Sequence, residues 1–106
     1  MELEMHAFRM QLKPGMADEY RRRHDAIWPE LTALLREAAI SDYRIFLDPE
    51  TGALFATLKL APDNRREALP AHPVMQRWWD HMADIMDAGP DNRPREWPLA
   101  PMFHLA

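Results

Sequence analysis

The stretch Asp42-Tyr43-Arg44-Ile45-Phe46-Leu47-Asp48-Pro49-Glu50-Thr51-Gly52, followed by Leu54 to Leu60, decides the fold. Asp42 to Asp48 and Leu54 to Leu60 read as strands. Between them, Pro49 fixes one backbone dihedral and Gly52 accepts a positive one, which is hairpin-turn chemistry. These strands carry apolar groups on both faces, with Tyr43, Ile45 and Leu47 on one side and Phe46 and Phe55 on the other. Upstream, His6, Phe8, Met10 and Leu12 alternate with Ala7, Arg9 and Gln11, so Met5 to Leu12 reads as a further strand. Pro14 and Gly15 break the chain after it. A stripe in steps of three and four then runs through Met16, Tyr20, His24, Ile27, Leu31 and Ala38, the mark of a helix packed on a core. Pro29 falls inside that stripe. It predicts a break between Asp25 and Pro29, with Pro29 in the first turn of the second segment.

Downstream of the hairpin, Asp63 is placed to cap a short helical piece through Leu69. A clearer helix, from about Pro73 to Met86, carries Met75, Trp78, Trp79, Met82 and Ile85 and ends at Gly89-Pro90. In the tail, Pro94, Pro98 and Pro101 leave only Met102 to Leu105 with a strand-like pattern, and proline confines it to an edge. The order is β-α-β-β-α-β. It predicts one α+β domain over residues 1–106, a ferredoxin-like antiparallel sheet with its helices on one face. Helices on one side leave the second apolar face open. A two-fold partner would cover it, giving a homodimeric α/β barrel.

Composition narrows the function. Against 17 Asp and Glu stand 13 Lys and Arg, a formal charge of −4, which argues against binding nucleic acid through its phosphates. The one dense basic run, Arg21-Arg22-Arg23, reads as a solvated helix face. No cysteine is present, so thiol nucleophiles and zinc-thiolate sites are ruled out. His6, His24, His72, His81 and His104 make no pattern of metal-ligand spacing, so no metal is expected. Three glycines build no phosphate loop, so a nucleotide cofactor is not expected either. No apolar run approaches the ~20 residues of a membrane span, and Met1-Glu2-Leu3-Glu4 lacks the pattern of a secretory signal. The expected compartment is the cytoplasm.

Two features could carry chemistry. Tyr20 and His24, four apart, stand one turn above each other on the inward stripe. They are either a hydrogen-bonded core pair or part of a cavity in which the imidazole carries a proton, since free imidazole titrates near pH 6.5. Adjacent Trp78 and Trp79 cannot both point straight at the sheet. An indole offers a flat apolar face and one N–H donor, which suits the C–H patches and hydroxyls of a sugar ring. Tyr43 would add a phenol from the sheet side. His81, beside Asp80 and Asp84, is expected on the solvent side.

Glu19-Tyr20-Arg21-Arg22-Arg23-His24-Asp25-Ala26-Ile27-Trp28-Pro29-Glu30-Leu31 resembles the signature of L-rhamnose mutarotases. So do Tyr43-Arg44-Ile45-Phe46-Leu47-Asp48, Gln76-Arg77-Trp78-Trp79-Asp80-His81-Met82, and Asp84-Ile85-Met86 before Pro90-Asp91-Asn92. The similarity covers almost the whole chain and departs most in the tail, Pro94 to Pro101. It implies a dimeric ferredoxin-like barrel, cofactor-free exchange of the α and β anomers of L-rhamnose, His24 as proton donor, and Tyr20, Tyr43, Trp78 and Trp79 in contact with the sugar. Two other readings fit the same fold: a monooxygenase-like dimeric α/β barrel, which would consume oxygen, and a non-catalytic sugar-binding module, which would bind without accelerating exchange.

Overall fold

The computed structural model describes residues 2–106. Strand β1 spans Glu4–Gln11, followed by helices α1 (Ala17–Asp25) and α2 (Pro29–Glu37), strands β2 (Ile40–Leu47) and β3 (Ala53–Leu60), helix α3 (Pro73–Met82) and strand β4 (Trp97–Pro98). Every pairing is antiparallel and the strand order is β2-β3-β1-β4, the ferredoxin-like arrangement predicted from the element order.

The helical stripe breaks where proline requires it. α1 stops at Asp25, and Pro29 opens α2 at a position whose N–H would have no intrahelical partner anyway. The side of the sheet bearing Phe8, Met10, Leu54 and Leu58 is buried beneath α1, α2 and α3, where Leu31, Met75, Trp78 and Met82 complete one core. The other side is open: Phe46 and Phe55 pair across β2 and β3, Arg9 pairs with Phe55, and Trp97 pairs with Arg9. Phe46 and Phe55 are among the exposed large apolar residues.

Three local expectations need correction. β4 is Trp97–Pro98, not Met102 to Leu105. The chain returns to the free edge of β1 earlier, where the Leu99 N–H donates to the Ala7 carbonyl at 3.1 Å and the Arg9 guanidinium lies 4.1 Å from the Trp97 ring. Pro98 is tolerated because an edge strand need not donate. The last helix ends at Met82 and tightens into a 3-10 turn, Ala83–Ile85. Met86 then leaves it, extended, to bridge with Leu12. Asp63 caps nothing: the short helix between β3 and α3 is a 3-10 segment, Arg66–Ala71, and the Asn64 side chain accepts from the Arg66 N–H at 3.2 Å.

The chain leaves α2 through Ala39, which has φ 62°, a left-handed conformation that costs an L-residue roughly 1–2 kcal/mol. Glycine is the usual residue at this point of a helix C-terminus. Ala39→Gly should therefore stabilise the protein by up to about 1 kcal/mol, the relief of strain outweighing the added freedom of the unfolded chain. Thermal melts of the two proteins check it: an unchanged or lower midpoint contradicts the assignment.

Candidate active site

α1 places Tyr20 and His24 one turn apart on its inner face, and the structure brings their rings to 4.3 Å between centroids. The Nδ1 atom of His24 lies 3.0 Å from the Tyr20 carbonyl oxygen. A carbonyl only accepts, so Nδ1 must carry a hydrogen and donate it. Nε2 is thereby left as the atom that gains and loses a proton. Burial lowers the imidazole pKa from its ordinary value, while the Tyr20 carbonyl and the Asp25 carboxylate work in the opposite direction. The protonated form is accordingly a stronger acid than a histidine in water.

α3 brings Trp78 edge-on to the His24 ring, with centroids 5.4 Å apart and planes at 90°. Trp78 is buried, and Trp79, one residue on, is only partly so. That is the division expected for adjacent residues on a helix, and both line the same cavity. The Trp79 ring carries the Arg93 guanidinium 5.3 Å from its centroid.

Tyr43 reaches the cavity from β2 because it shares a strand face with Ile45 and Leu47, which line the same cavity; the strand is irregular only just before it. Ser41 pairs with Lys59 and Arg44 with Thr57, so Asp42 and Tyr43 together oppose Leu58. Asp42 takes a positive φ of 47°, which aspartate tolerates better than most residues, and ion pairs with Arg44 and Lys59 hold its carboxylate. The bulge lets Ile40, before it, face the core as Tyr43 and Ile45 do after it, and Tyr43 meets the Phe8 ring edge-on at 6.5 Å. As a residue Tyr43 is 40% exposed, yet it lines the cavity. Burial pushes the ionisation of both Tyr20 and Tyr43 well above the ordinary phenol value, so both stay neutral donors at physiological pH.

All five residues singled out from the sequence thus line one cavity of about 1130 Å³ between helices and sheet. Tyr20, His24 and Trp78 are in direct contact, and Tyr43 and Trp79 form other parts of the wall. Sequence reasoning missed several participants. Trp28 stands behind Trp78, centroids 5.1 Å apart, and is stacked in turn by His81. Its signal was its place at the Pro29 break. His81 is exposed, as expected, although its ring also lies against Trp78. Arg23 departs from the solvated face assigned to the arginine run. Its side chain is 12% exposed and binds Glu19 and Asp84 and donates to the His81 carbonyl, tying α1 to α3 behind the cavity. Arg66 and Glu96, on the lining near Phe8, carried no sequence signal at all. Among the described residues no group of three or more His, Asp or Glu could hold a metal ion. No helix among them is long and apolar enough to cross a membrane.

Fold and site together define a ferredoxin-like α+β protein with an aromatic-walled, imidazole-bearing cavity between sheet and helices. Comparison with known proteins narrows that class. The family model for L-rhamnose mutarotase matches residues 5–105. An L-rhamnose mutarotase of Jannaschia sp. (strain CCS1) is 59% identical over 103 residues, covering 97% of this chain and 99% of the relative. One from Verminephrobacter eiseniae is 60% identical over 105 residues, covering 99% of each. The crystal structure of L-rhamnose mutarotase from Formosa agariphila superposes with a TM-score of 0.90 at 43% identity, over 97% of this chain and 99% of that one. The chain belongs to the L-rhamnose mutarotase family.

Proposed function

We propose that this protein is a carbohydrate isomerase, an L-rhamnose mutarotase that interconverts the α and β anomers of the free sugar. The observation that carries the chemistry is His24: an imidazole with its tautomer fixed by the Tyr20 carbonyl, on the wall of a cavity with an indole at its edge. The name of the sugar comes from the family and the relatives.

Anomer exchange opens the hemiacetal ring and closes it on the other face. A proton goes to the ring oxygen, the bond between that oxygen and the anomeric carbon breaks, and the anomeric hydroxyl passes its proton to a water molecule as the aldehyde forms. Rotation about the next carbon–carbon bond and the reverse steps complete the exchange. His24 Nε2 is the donor to the ring oxygen and recovers the proton on closure, as microscopic reversibility requires. Tyr20 and Tyr43, kept neutral by burial, hold hydroxyls of the sugar. Trp78 and Trp79 give the ring and its methyl group an apolar wall. With water taking the anomeric proton and returning it on closure, protons and electrons balance within sugar, imidazole and water, so the reaction calls on no cofactor. The test is the rate of anomer exchange with and without protein.

The working form is a homodimer in the cytoplasm. Phe46, Phe55 and Trp97 lie on the open side of the sheet, and Met102 and Phe103 in the tail are 91% and 84% exposed. A second copy packed sheet to sheet would remove this surface from water. Sedimentation should give about twice the 12.4 kDa chain mass, and a Phe46→Glu, Phe55→Glu double variant should sediment as the single chain. A wild-type protein that stays at 12.4 kDa at micromolar concentration contradicts the dimer.

A further inference from the structure

Among the described residues, one ion pair has both members on the cavity lining: Arg66 and Glu96, joined at 3.2 Å. Their side chains are only 24% and 25% exposed. This is their only side-chain hydrogen bond within the described protein, which leaves further guanidinium N–H groups and the second carboxylate oxygen without a protein partner. Arg66 lies with its guanidinium 5.3 Å from the Phe8 ring centroid, and Tyr43 touches the same ring from the strand side. Tyr43 and Arg66 thus share the Phe8 ring, while His24 is held with Tyr20 and Trp78 on another part of the same lining.

From this placement we infer that Arg66 and Glu96 are a specificity-determining pair, binding neighbouring sugar hydroxyls at the end of the ring away from the anomeric carbon. The inference rests on the mutarotase reading for the identity of the sugar. A carboxylate accepts from one hydroxyl while the adjacent guanidinium donates to the next, and mutual pairing holds both groups in one geometry beforehand. Hydrogen bonds to charged groups are the stronger kind, so each lost contact weakens binding by about 10- to 100-fold. These contacts are remote from the bonds that change. Ground state and transition state should feel them alike, and their removal should raise KM rather than lower kcat.

The rival role is a clamp, since the pair also joins the 3-10 segment Arg66–Ala71 to the chain just before β4. A clamp changes stability and treats all sugars equally, whereas a hydroxyl site discriminates. Wild-type protein and the Arg66→Met, Glu96→Met and Glu96→Gln variants are titrated calorimetrically with L-rhamnose and with its 3-deoxy and 4-deoxy analogues, and their exchange rates are measured in parallel. We expect wild type to prefer L-rhamnose over at least one deoxy analogue. Both Met variants should lose 10- to 100-fold in affinity for L-rhamnose and lose that preference, with Glu96→Gln, which keeps an acceptor, recovering part of it. Variants that keep wild-type affinity and preference, or that weaken all three sugars equally while melting earlier, overturn the proposal. Should Arg66→Met not fold, Glu96→Met and Glu96→Gln decide alone. Because the titration reads binding without catalysis, a wild type that binds and discriminates but does not accelerate exchange overturns the mutarotase reading and leaves the pair standing.

Discussion

Replacing His24 with alanine should leave a folded protein that still binds the sugar and exchanges its anomers roughly 10²- to 10⁴-fold more slowly, the usual worth of a positioned acid or base. Structure and stability survive because His24 is only half-buried and its one hydrogen bond runs to the carbonyl of its own helix. Tyr20, Trp78 and Trp79 remain to hold the ring. A merely structural histidine would behave in the opposite way: its loss would lower the melting temperature and leave the surviving folded protein at its normal rate. Circular dichroism and exchange rate must be read on one sample. A folded His24→Ala protein with undiminished exchange removes His24 from the mechanism.

Trp78→Ala should be the most damaging substitution in the site for stability, costing about 3–5 kcal/mol. Trp78 is 6% exposed and meets Trp28 and His24 edge-on, so its removal opens a void that the neighbouring rings cannot fill. Against a typical total of roughly 5–15 kcal/mol, such a loss brings the protein near its unfolding threshold. Trp79→Ala should separate from it cleanly. Its ring is partly exposed at the edge of the core and carries Arg93, so the variant folds but binds the sugar about tenfold more weakly, the cost of some 50 Å² of apolar contact at roughly 25 cal/mol per Å². Urea unfolding and fluorescence titration on both proteins check the pair. Equal stability of the two variants, or wild-type affinity in folded Trp79→Ala, contradicts this division of labour.

What could be read in advance follows from locality. Pro29 broke the helix where its ring geometry demands, and the spacing of Tyr20 and His24 put both on the inner face because helical periodicity is a local property. The hairpin was equally plain, since Pro49 and Gly52 sit between two apolar strands and Gly52 adopts φ 77° in the turn. Features decided by partners distant in sequence were hidden. The strand after α3 is Trp97–Pro98 because that is where the chain reaches the free edge of β1, and no local pattern marks the place. The bulge at Asp42 and Tyr43 depends on the register between two strands, and no local pattern marks it. Arg23 looked like one of three solvated arginines until α3 brought Asp84 to it. Arg66 and Glu96, 30 residues apart, meet only in the folded chain.

Saturation-transfer NMR on L-rhamnose tests the central claim most directly. Irradiating the anomeric proton of one form transfers saturation to the other only as fast as the ring opens and closes. Transfer should grow in proportion to added protein, with no metal or cofactor supplied, and His24→Ala protein at the same concentration should give little above the rate in buffer. Transfer that stays at the buffer rate while the sugar demonstrably binds would show a binding protein rather than a mutarotase, and would contradict that claim.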